Sequence, residues 1–383
     1  MEIFLAILLF CLGLVLLIKG GDLFVDGATG IAHRFHLPEI LIGATVVSIG
    51  TTLPEVMVSA TAAVEGQSQT AYGNAIGSVI CNTALIAAFT IAVKPAEVDR
   101  KTLILPVIFF FIASAFYTCI AYFANTFSRW TGIVLLCLFV IYMVVTVRQA
   151  IKNPVEPKVL TAPDGAEMKT TENVAASKNA EVNADAVAEN NAGAIASDAA
   201  NAAPAQKAAA EEKSEQEKAA AKKASAKELA KQIIFLIIGA AAIAVGARLL
   251  VDNGSKIAIW LGVPEAVVAL TFVALGTSLP ELITAITSLI KGHGALSLGN
   301  VIGANLFNLV LVSGIAITLR PFDVPVANVI AGINSSLLID IPVMNAVMLI
   351  LTLPALIKNK LYRWQGVVLL VIYAAFCTLQ FVL

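Results

Sequence analysis

Long apolar runs separated by short polar breaks dominate the chain, and their lengths predict ten membrane-crossing helices. Runs able to span a hydrocarbon core, which takes about 20 residues, fall at 3–32, 39–64, 70–93, 103–124 and 129–149, and again at 231–260, 265–290, 295–319, 327–354 and 361–382. Between the two sets of five, the pattern stops. Of the 80 residues at 151–230, 25 are alanine and 23 are charged, with little aromatic or branched bulk, so this stretch cannot bury a core. Its last third, from Pro204 through Lys227, has the Ala/Glu/Lys content of a solvated helix. The expectation is an all-α integral membrane protein with a five-helix repeat at 1–150, a low-complexity and largely disordered loop at 151–230, and a second five-helix repeat at 231–383.

Composition narrows the class. With 58% hydrophobic and 13% charged residues in 383, the chain is far too apolar for a soluble domain, and a net charge of -1 gives no basic excess for a nucleic-acid partner. The lipid bilayer is the expected surrounding. Five cysteines, Cys11, Cys81, Cys119, Cys137 and Cys377, lie in apolar runs without a CxxC pair, which points to buried small hydrophobes rather than disulfides or zinc ligands. Met1 and Glu2 supply no positive region ahead of the first span, so that span is expected to be retained rather than cleaved as a signal peptide.

Shifting the second half by 226 residues aligns it without a gap from Gly13 to Val98. Gly13 meets Gly239, Asp26 meets Asp252, Pro38 and Glu39 meet Pro264 and Glu265, and Gly73 and Asn74 meet Gly299 and Asn300. Between 21 and 82, 21 of 62 positions are identical, which makes this an internal duplication. A fainter echo, Arg129-Trp130-Thr131-Gly132 against Arg363-Trp364-Gln365-Gly366, opens the fifth span of each half. An odd number of spans per unit forces the second unit to enter from the opposite side, the inverted-repeat architecture that recurs in secondary transporters with sites near the midplane. Arg34, Lys94, Arg100, Lys101, Arg148, Lys231, Lys291, Lys358, Lys360 and Arg363 collect on one side, against Arg129, Lys256 and Arg320 on the other. The positive-inside rule then places the 151–230 loop in the cytoplasm and both termini outside the cell (inner) membrane.

Two carboxylates break the rule that charge marks span ends. Glu55 closes the run Ser48-Ile49-Gly50-Thr51-Thr52-Leu53-Pro54-Glu55, and Glu281 closes Ala274-Leu275-Gly276-Thr277-Ser278-Leu279-Pro280-Glu281. At 1.5 Å per residue Glu55 lies about 15 Å from Glu65 and about 24 Å from Glu39, near mid-membrane, where a carboxylate costs roughly 2.5 to 3.5 kcal/mol on insertion scales. Pro38-Glu39 and Pro264-Glu265 are the contrast: at a helix start proline and glutamate have a structural use. The deep prolines remove an amide donor and free a carbonyl one turn back, near Ser48, Gly50 and Thr51 or Ala274, Gly276 and Thr277. Thr45, Ser48, Thr52, Glu55 and Ser59 share a stripe flanked by Thr51; Thr271, Thr277, Ser278, Glu281, Thr284 and Ser288 answer it, though Thr45, Thr271, Ser59 and Ser288 can equally bond their own helix backbones. The third span adds Asn74, Ser78 and Asn82 on one face, against Asn300, Ala304 and Asn308. Such an all-oxygen set suits Ca2+ or Na+ and not copper or zinc.

In its paired GT[ST]LPE motifs at 50–55 and 276–281, with GNxxGS/A segments opening at Gly73 and Gly299, the chain resembles the cation:calcium antiporter superfamily, and especially the prokaryotic ten-helix sodium/calcium exchangers. The resemblance covers nearly everything outside 151–230. It implies that Ca2+ and Na+ are the transported ions, that no further cofactor is needed, and that Glu55 and Glu281 serve both. It also implies ion ligands at Thr51, Thr52, Ser78, Asn82, Thr277 and Ser278, with backbone carbonyls at Ser48 and Ala274, and it brings Asn308 to a position where potassium-dependent members carry an acid. Ala304 replaces a hydroxyl and Val79 an asparagine found in some members. Nothing in the loop resembles the calcium-binding regulatory domains of animal exchangers. Coupling to H+ instead of Na+, a cation channel, and an intramembrane carboxylate hydrolase stay open as alternatives; the hydrolase has the least support, since His33, His36 and His293 lie at span ends and no HExxH occurs.

Overall fold

In lipid a backbone amide has no water to turn to, so each apolar run must close its own hydrogen bonds as a helix. The computed structural model, which describes residues 2–35, 37–95, 97–152, 203–262, 276–326, 329–330 and 332–382, shows ten such helices among them. They are α1 (Glu2–Arg34), α2 (Glu39–Glu65), α3 (Ser68–Val93), α4 (Arg100–Ala124), α5 (Arg129–Lys152), α6 (Ala203–Trp260), α7 (Leu279–Ile290), α8 (Gly294–Leu319), α9 (Ser336–Lys358) and α10 (Arg363–Val382). Nine are long and apolar enough to cross a membrane, α6 through its stretch Ala226–Trp260. The tenth, α7, is the described end of the span expected at 265–290; the part up to residue 275 lies outside the described residues, as does most of the 151–230 loop. Met1–Val155 and Leu229–Leu383 form one compact unit, and Glu156–Glu228 is assigned to a second, of which only the first part of α6 is described. The protein is an all-α integral membrane protein of two inverted five-helix repeats.

One boundary departs from expectation. The ninth span was expected at 327–354, but α9 runs Ser336–Lys358. The preceding apolar residues form a hairpin instead, Val329–Ile330 pairing with Ile333–Asn334 around Gly332 at φ +82°. Glycine there accepts the left-handed turn, and Asn334 Oδ1 then takes the backbone amide of Ser336 at 2.9 Å to start the helix.

The duplication is visible in contacts as well as in residues. Gly13 of α1 abuts Gly246 of α6 while Gly20 abuts Gly239: a Cβ added at Gly13 would lie 2.9 Å from the Gly246 carbonyl, and one at Gly239 2.8 Å from that of Gly20. These are the same contact in the two repeats. Gly132 brings α5 against the Gly314 backbone of α8, and Gly366 brings α10 against Ala88 and Ala92 of α3. At the ends, Thr126–Phe127 pairs with Phe322–Asp323, with Val324 N–H donating to the Asn125 carbonyl at 3.0 Å. Its counterpart is the Glu97–Lys360 bridge, with Val98 N–H donating to Asn359 at 2.9 Å; Asn125 and Asn359 both sit at φ 53°. The Arg-Trp echo has a use here: Arg129 caps the Thr318 carbonyl at 3.1 Å and Arg363 caps that of Val93 at 3.4 Å, closing the ends of α8 and α3. Trp130, Trp260 and Trp364 are all exposed near helix ends, the usual place of interfacial tryptophan.

At one face the symmetry fails. Lys291 Nζ pairs with Asp26 at 2.7 Å and Asp22 at 3.5 Å on α1, and His293 Nδ1 meets Glu39 at 2.9 Å, with His33 Nε2 3.9 Å from the same carboxylate. Asp26 therefore ties α1 to the α7–α8 turn. Among the described residues Arg248 reaches Asp252 on its own helix at 3.9 Å.

Two outcomes follow. Gly299 packs on the Ile40 backbone whereas its repeat partner Gly73 has open space around it. Gly299→Ala therefore costs about 1 to 3 kcal/mol through overpacking, and Gly73→Ala is neutral or slightly stabilising; thermal unfolding in detergent compares them. The Glu39 carboxylate holds the His293 imidazole above its ordinary range, chiefly through their hydrogen bond and against partial burial. Because the folded value is raised, this stabilisation is complete below the unfolded value of about 6.5 and is lost as pH rises through the higher folded one. A melting temperature against pH curve should show that decline in the parent and flatten in His293→Gln.

Candidate functional site

Local backbone chemistry sets the site. Pro54 inside α2 has no amide to give the carbonyl of Gly50, whereas Pro280 stands in the first turn of α7, after a turn at Thr277 and Ser278, where proline interrupts no helix. Wider turns lie close by: π-helical segments run Gly43–Val47 in α2, Asn82–Ala87 in α3 and Asn308–Val312 in α8. The last two begin at matched asparagines, so the duplication extends to the bulge itself. Ser48 Oγ donates to the Gly43 carbonyl at 2.7 Å and Ser313 Oγ to that of Asn308 at 3.1 Å, each closing a widened turn five residues back. Tyr142 of α5 donates to the Ala44 carbonyl at 3.1 Å. Isolated π turns recur at functional positions because they re-aim carbonyls and side chains without breaking a helix.

Four helices, α2 and α3 with α7 and α8, bring these segments together. The Asn300 carboxamide oxygen of α8 accepts from Thr51 at 3.2 Å, and that oxygen and the Asn300 backbone carbonyl lie 3.3 and 3.0 Å from Ser48 Oγ, alternative acceptors to Gly43 for its one proton. Asn300 thus joins the repeats across the centre. Its twin Asn74 stays within its own repeat, donating to the Glu55 carbonyl at 3.1 Å and to Ser59 Oγ at 2.8 Å. Asn305 of α8 reaches Thr83 Oγ1 of α3 at 2.7 Å. Thr45 donates to its own helix at Leu41, 2.7 Å away, so it belongs to the backbone and not to the centre.

Of the residues singled out by sequence, Ser48, Thr51, Thr52, Glu55, Ser78, Asn82, Ser278, Glu281 and Asn308 are all buried, and Thr277 is partly buried. Ala274 and Thr271 lie outside the described residues. Glu55 and Glu281, both 0% exposed, are near enough to repel one another, and Thr51 and Thr52 of the first repeat face Glu281 of the second. Both carboxylate oxygens of each glutamate, both amide atoms of Asn82 and Asn308, and the hydroxyls of Thr52 and Ser278 have no hydrogen-bond partner in the protein. They form three matched pairs under the repeat: Thr52 with Ser278, Glu55 with Glu281, Asn82 with Asn308. Each such group costs kilocalories when buried unpaired, so their convergence defines an oxygen-lined centre carrying two negative charges, the chemistry of a hard-cation site. Among the described residues no group of three His, Cys, Asp or Glu side chains could hold a metal. Two residues act otherwise than the sequence suggested: Asn300, grouped there with the cation-binding oxygens, bridges the repeats, and Asn305 was given no role. The repeated Gly-Asn pair was the available signal for Asn300; nothing marked Asn305 except that its twin is Val79.

Inverted helical repeats crossing at two buried carboxylates define an intramembrane cation-handling protein. The family model described as sodium/calcium exchanger protein matches residues 5–148 and 231–382, and the chain belongs to that family of cation exchangers. It is 30% identical over 379 residues to the sodium/calcium exchanger MaX1 of Methanosarcina acetivorans, covering 98% of each chain, and 30% identical to the inner membrane protein YrbG of Escherichia coli, covering 84% of this chain and 82% of that one. Its fold matches a solved structure of the sodium-calcium exchanger NCX_Mj soaked with Na+ and Sr2+, with a TM-score of 0.68, 27% identity and 97% coverage of both chains.

Unpaired buried charge has a direct consequence for stability. Glu55→Gln and Glu281→Gln should each raise the melting temperature in cation-free detergent, since the amide removes an uncompensated charge, and should reduce the gain on adding Ca2+. A lower melting temperature without cations would contradict the geometry described.

Proposed function

We propose that the protein is a secondary antiporter that exchanges Ca2+ for Na+ across the membrane by alternating access at the centre between α2, α3, α7 and α8. What supports this reading most is the twofold set of buried oxygens without protein partners, Thr52, Glu55 and Asn82 with Ser278, Glu281 and Asn308. Glu55 and Glu281 would bind both ions. One Ca2+ neutralises two carboxylates, and Na+ ions replace it at the same oxygens, so the two cargoes compete. Thr51, Thr52, Thr277 and Ser278, the Ser48 and Ala274 carbonyls, and Ser78, Asn82 and Asn308 would complete the coordination. The carboxamide of Asn308 keeps the charge of the centre at two, which argues for Na+ without K+ as counter-ion.

Exchange rather than leak follows from electrostatics. With no cation at the centre two carboxylates stand unneutralised in low dielectric, and that state is disfavoured by several kcal/mol per ion. The empty carrier therefore resists the passage between its two open faces. The positive side chains gathered on one side of the sequence's spans support a cytoplasmic 151–230 loop with both termini outside the cell membrane. Transport, not catalysis, is the activity: the two carboxylates are matched by the repeat, which suits ion binding better than the unlike roles of an acid and a base.

Radioactive Ca2+ uptake into vesicles loaded with Na+ tests the proposal. Uptake should follow the outward Na+ gradient and fall at least about a hundredfold in Glu55→Gln or Glu281→Gln, as expected for loss of a buried ion contact of roughly 2.7 kcal/mol. Full uptake driven by a pH jump without Na+ would assign the coupling to protons instead, and gradient-driven uptake that persists in both variants would remove the carboxylates from the site.

A further inference from the structure

Around the centre one flank is polar where its repeat counterpart is apolar. Tyr72 of α3 and Tyr117 of α4 are 4% and 0% exposed, and neither hydroxyl has a hydrogen-bond partner in the protein. Both lie within electrostatic reach of Asp340, a carboxylate in the first turns of α9. Tyr72 also faces Ser336, and Tyr117 faces Ser313. Ser313 in turn donates to the carbonyl of Asn308 at 3.1 Å, so polar groups run from Asp340 to the central asparagine. At the repeat shifts of 226 and 234 residues, Tyr72, Tyr117, Asp340 and Ser313 meet Leu298, Leu351, Pro106 and Ala87, all buried and apolar, while Ser336 and Gln380 meet Thr102 and Thr146.

Asp340 is itself an anomaly. It is partly buried in a membrane-length helix, and the groups acting on it among the described residues are Ser336 and Gln380, both neutral. Gln380 Nε2 donates to its Oδ1 at 2.8 Å. Packing α10 against α9 through that bond would need only a carbonyl; the negative charge is surplus to it. A partly buried carboxylate near the end of a span, with neutral hydrogen-bond partners alone among the described residues, suits pairing with a cation, and the two buried phenol hydroxyls within electrostatic reach of it have no hydrogen-bond partner of their own. One charge and several neutral oxygens match a monovalent hard cation, since a divalent ion would be left half neutralised.

We propose that Asp340, Tyr72 and Tyr117 form a second binding site for a single Na+, on the outward flank of the central site and absent from the inward flank. This rests on the reading of the chain as a Na+-using exchanger, but it concerns binding rather than flux. Its consequence is a carrier that meets Na+ differently on its two faces.

The test uses the full chain in detergent, with Na+ exchanged for choline at constant ionic strength and thermal unfolding as the readout. In the Glu55→Gln/Glu281→Gln background the central site is disabled, and Na+ should still raise the melting temperature. Adding Asp340→Asn, which keeps the acceptor for Gln380, should move half-saturation by Na+ up at least about tenfold, equivalent to roughly 1.4 kcal/mol. The proposal is overturned if the double variant gains nothing from Na+, if the triple variant retains the gain unchanged, or if Asp340→Asn lowers the melting temperature equally in choline and Na+, the mark of a purely structural contact. Ca2+ stabilisation of the parent chain, lost in the double variant, reads the central site separately, so the two assignments stand or fall apart.

Discussion

Two carboxylates held together in a medium of low dielectric are the constraint on which the rest of the structure turns. In water the Glu55 and Glu281 side chains would be solvated and would drift apart; here both are fully buried, repel one another, and find no donor in the protein. Everything near them keeps them so. Some nearby donors are spent elsewhere, Thr51 and Ser48 on Asn300 and Asn74 on the Glu55 backbone and Ser59, while the Thr52 and Ser278 hydroxyls and the Asn82 and Asn308 amides stay unpaired beside them. Pro54 inside α2 and the π turns beneath loosen the backbone hydrogen bonding around the same space without adding donors. A centre so arranged repels anions, attracts cations, and is costly when bare.

Holding four helices close enough for this needs thin contacts, and glycine provides them. Gly43, Gly299 and Gly303 let α2 and α8 cross backbone to backbone, which brings Asn300 within reach of Ser48 and Thr51. Farther out, the paired glycines of α1 and α6 replace side-chain interdigitation with a smooth contact, and a membrane offers little hydrophobic drive to compensate for looser packing. Close approach, and not apolar burial, is therefore what holds the repeats together at the centre.

Much of this was legible in the sequence, because a gapless duplication copies what the site needs twice. The depth of Glu55 and Glu281, the paired prolines and the matched asparagines could be read from spacing alone. The origin of the second echo could not: Arg129 and Arg363 act on carbonyls of another repeat's helix, a contact that periodicity does not encode. The start of α9 was misplaced because hydropathy scores a β hairpin of valine and isoleucine as it scores a helix, and only Gly332 hinted otherwise. The bulges at Asn82 and Asn308 were invisible for a related reason: a single extra residue in a turn leaves the apolar stripe intact.

Duplication also explains what the departures from symmetry are able to do. Two perfectly equivalent repeats would give an exchanger whose two open faces have the same energy, with direction set by the gradients alone. Here one face carries Lys291 with Asp22 and Asp26, and His293 with Glu39, all between elements, while among the described residues the matching position Asp252 pairs with Arg248 of its own helix. Each partly exposed pair contributes about 0 to 1 kcal/mol, so the set biases the equilibrium between faces by a small multiple of RT. That scale is the useful one. A bias of 1 to 3 kcal/mol shifts populations by roughly 5- to 150-fold, enough to favour one resting face, yet far below the penalty of leaving two carboxylates bare. In an exchanger of the kind proposed, the central charges would decide whether it exchanges, and the asymmetric rim would decide which side it waits on.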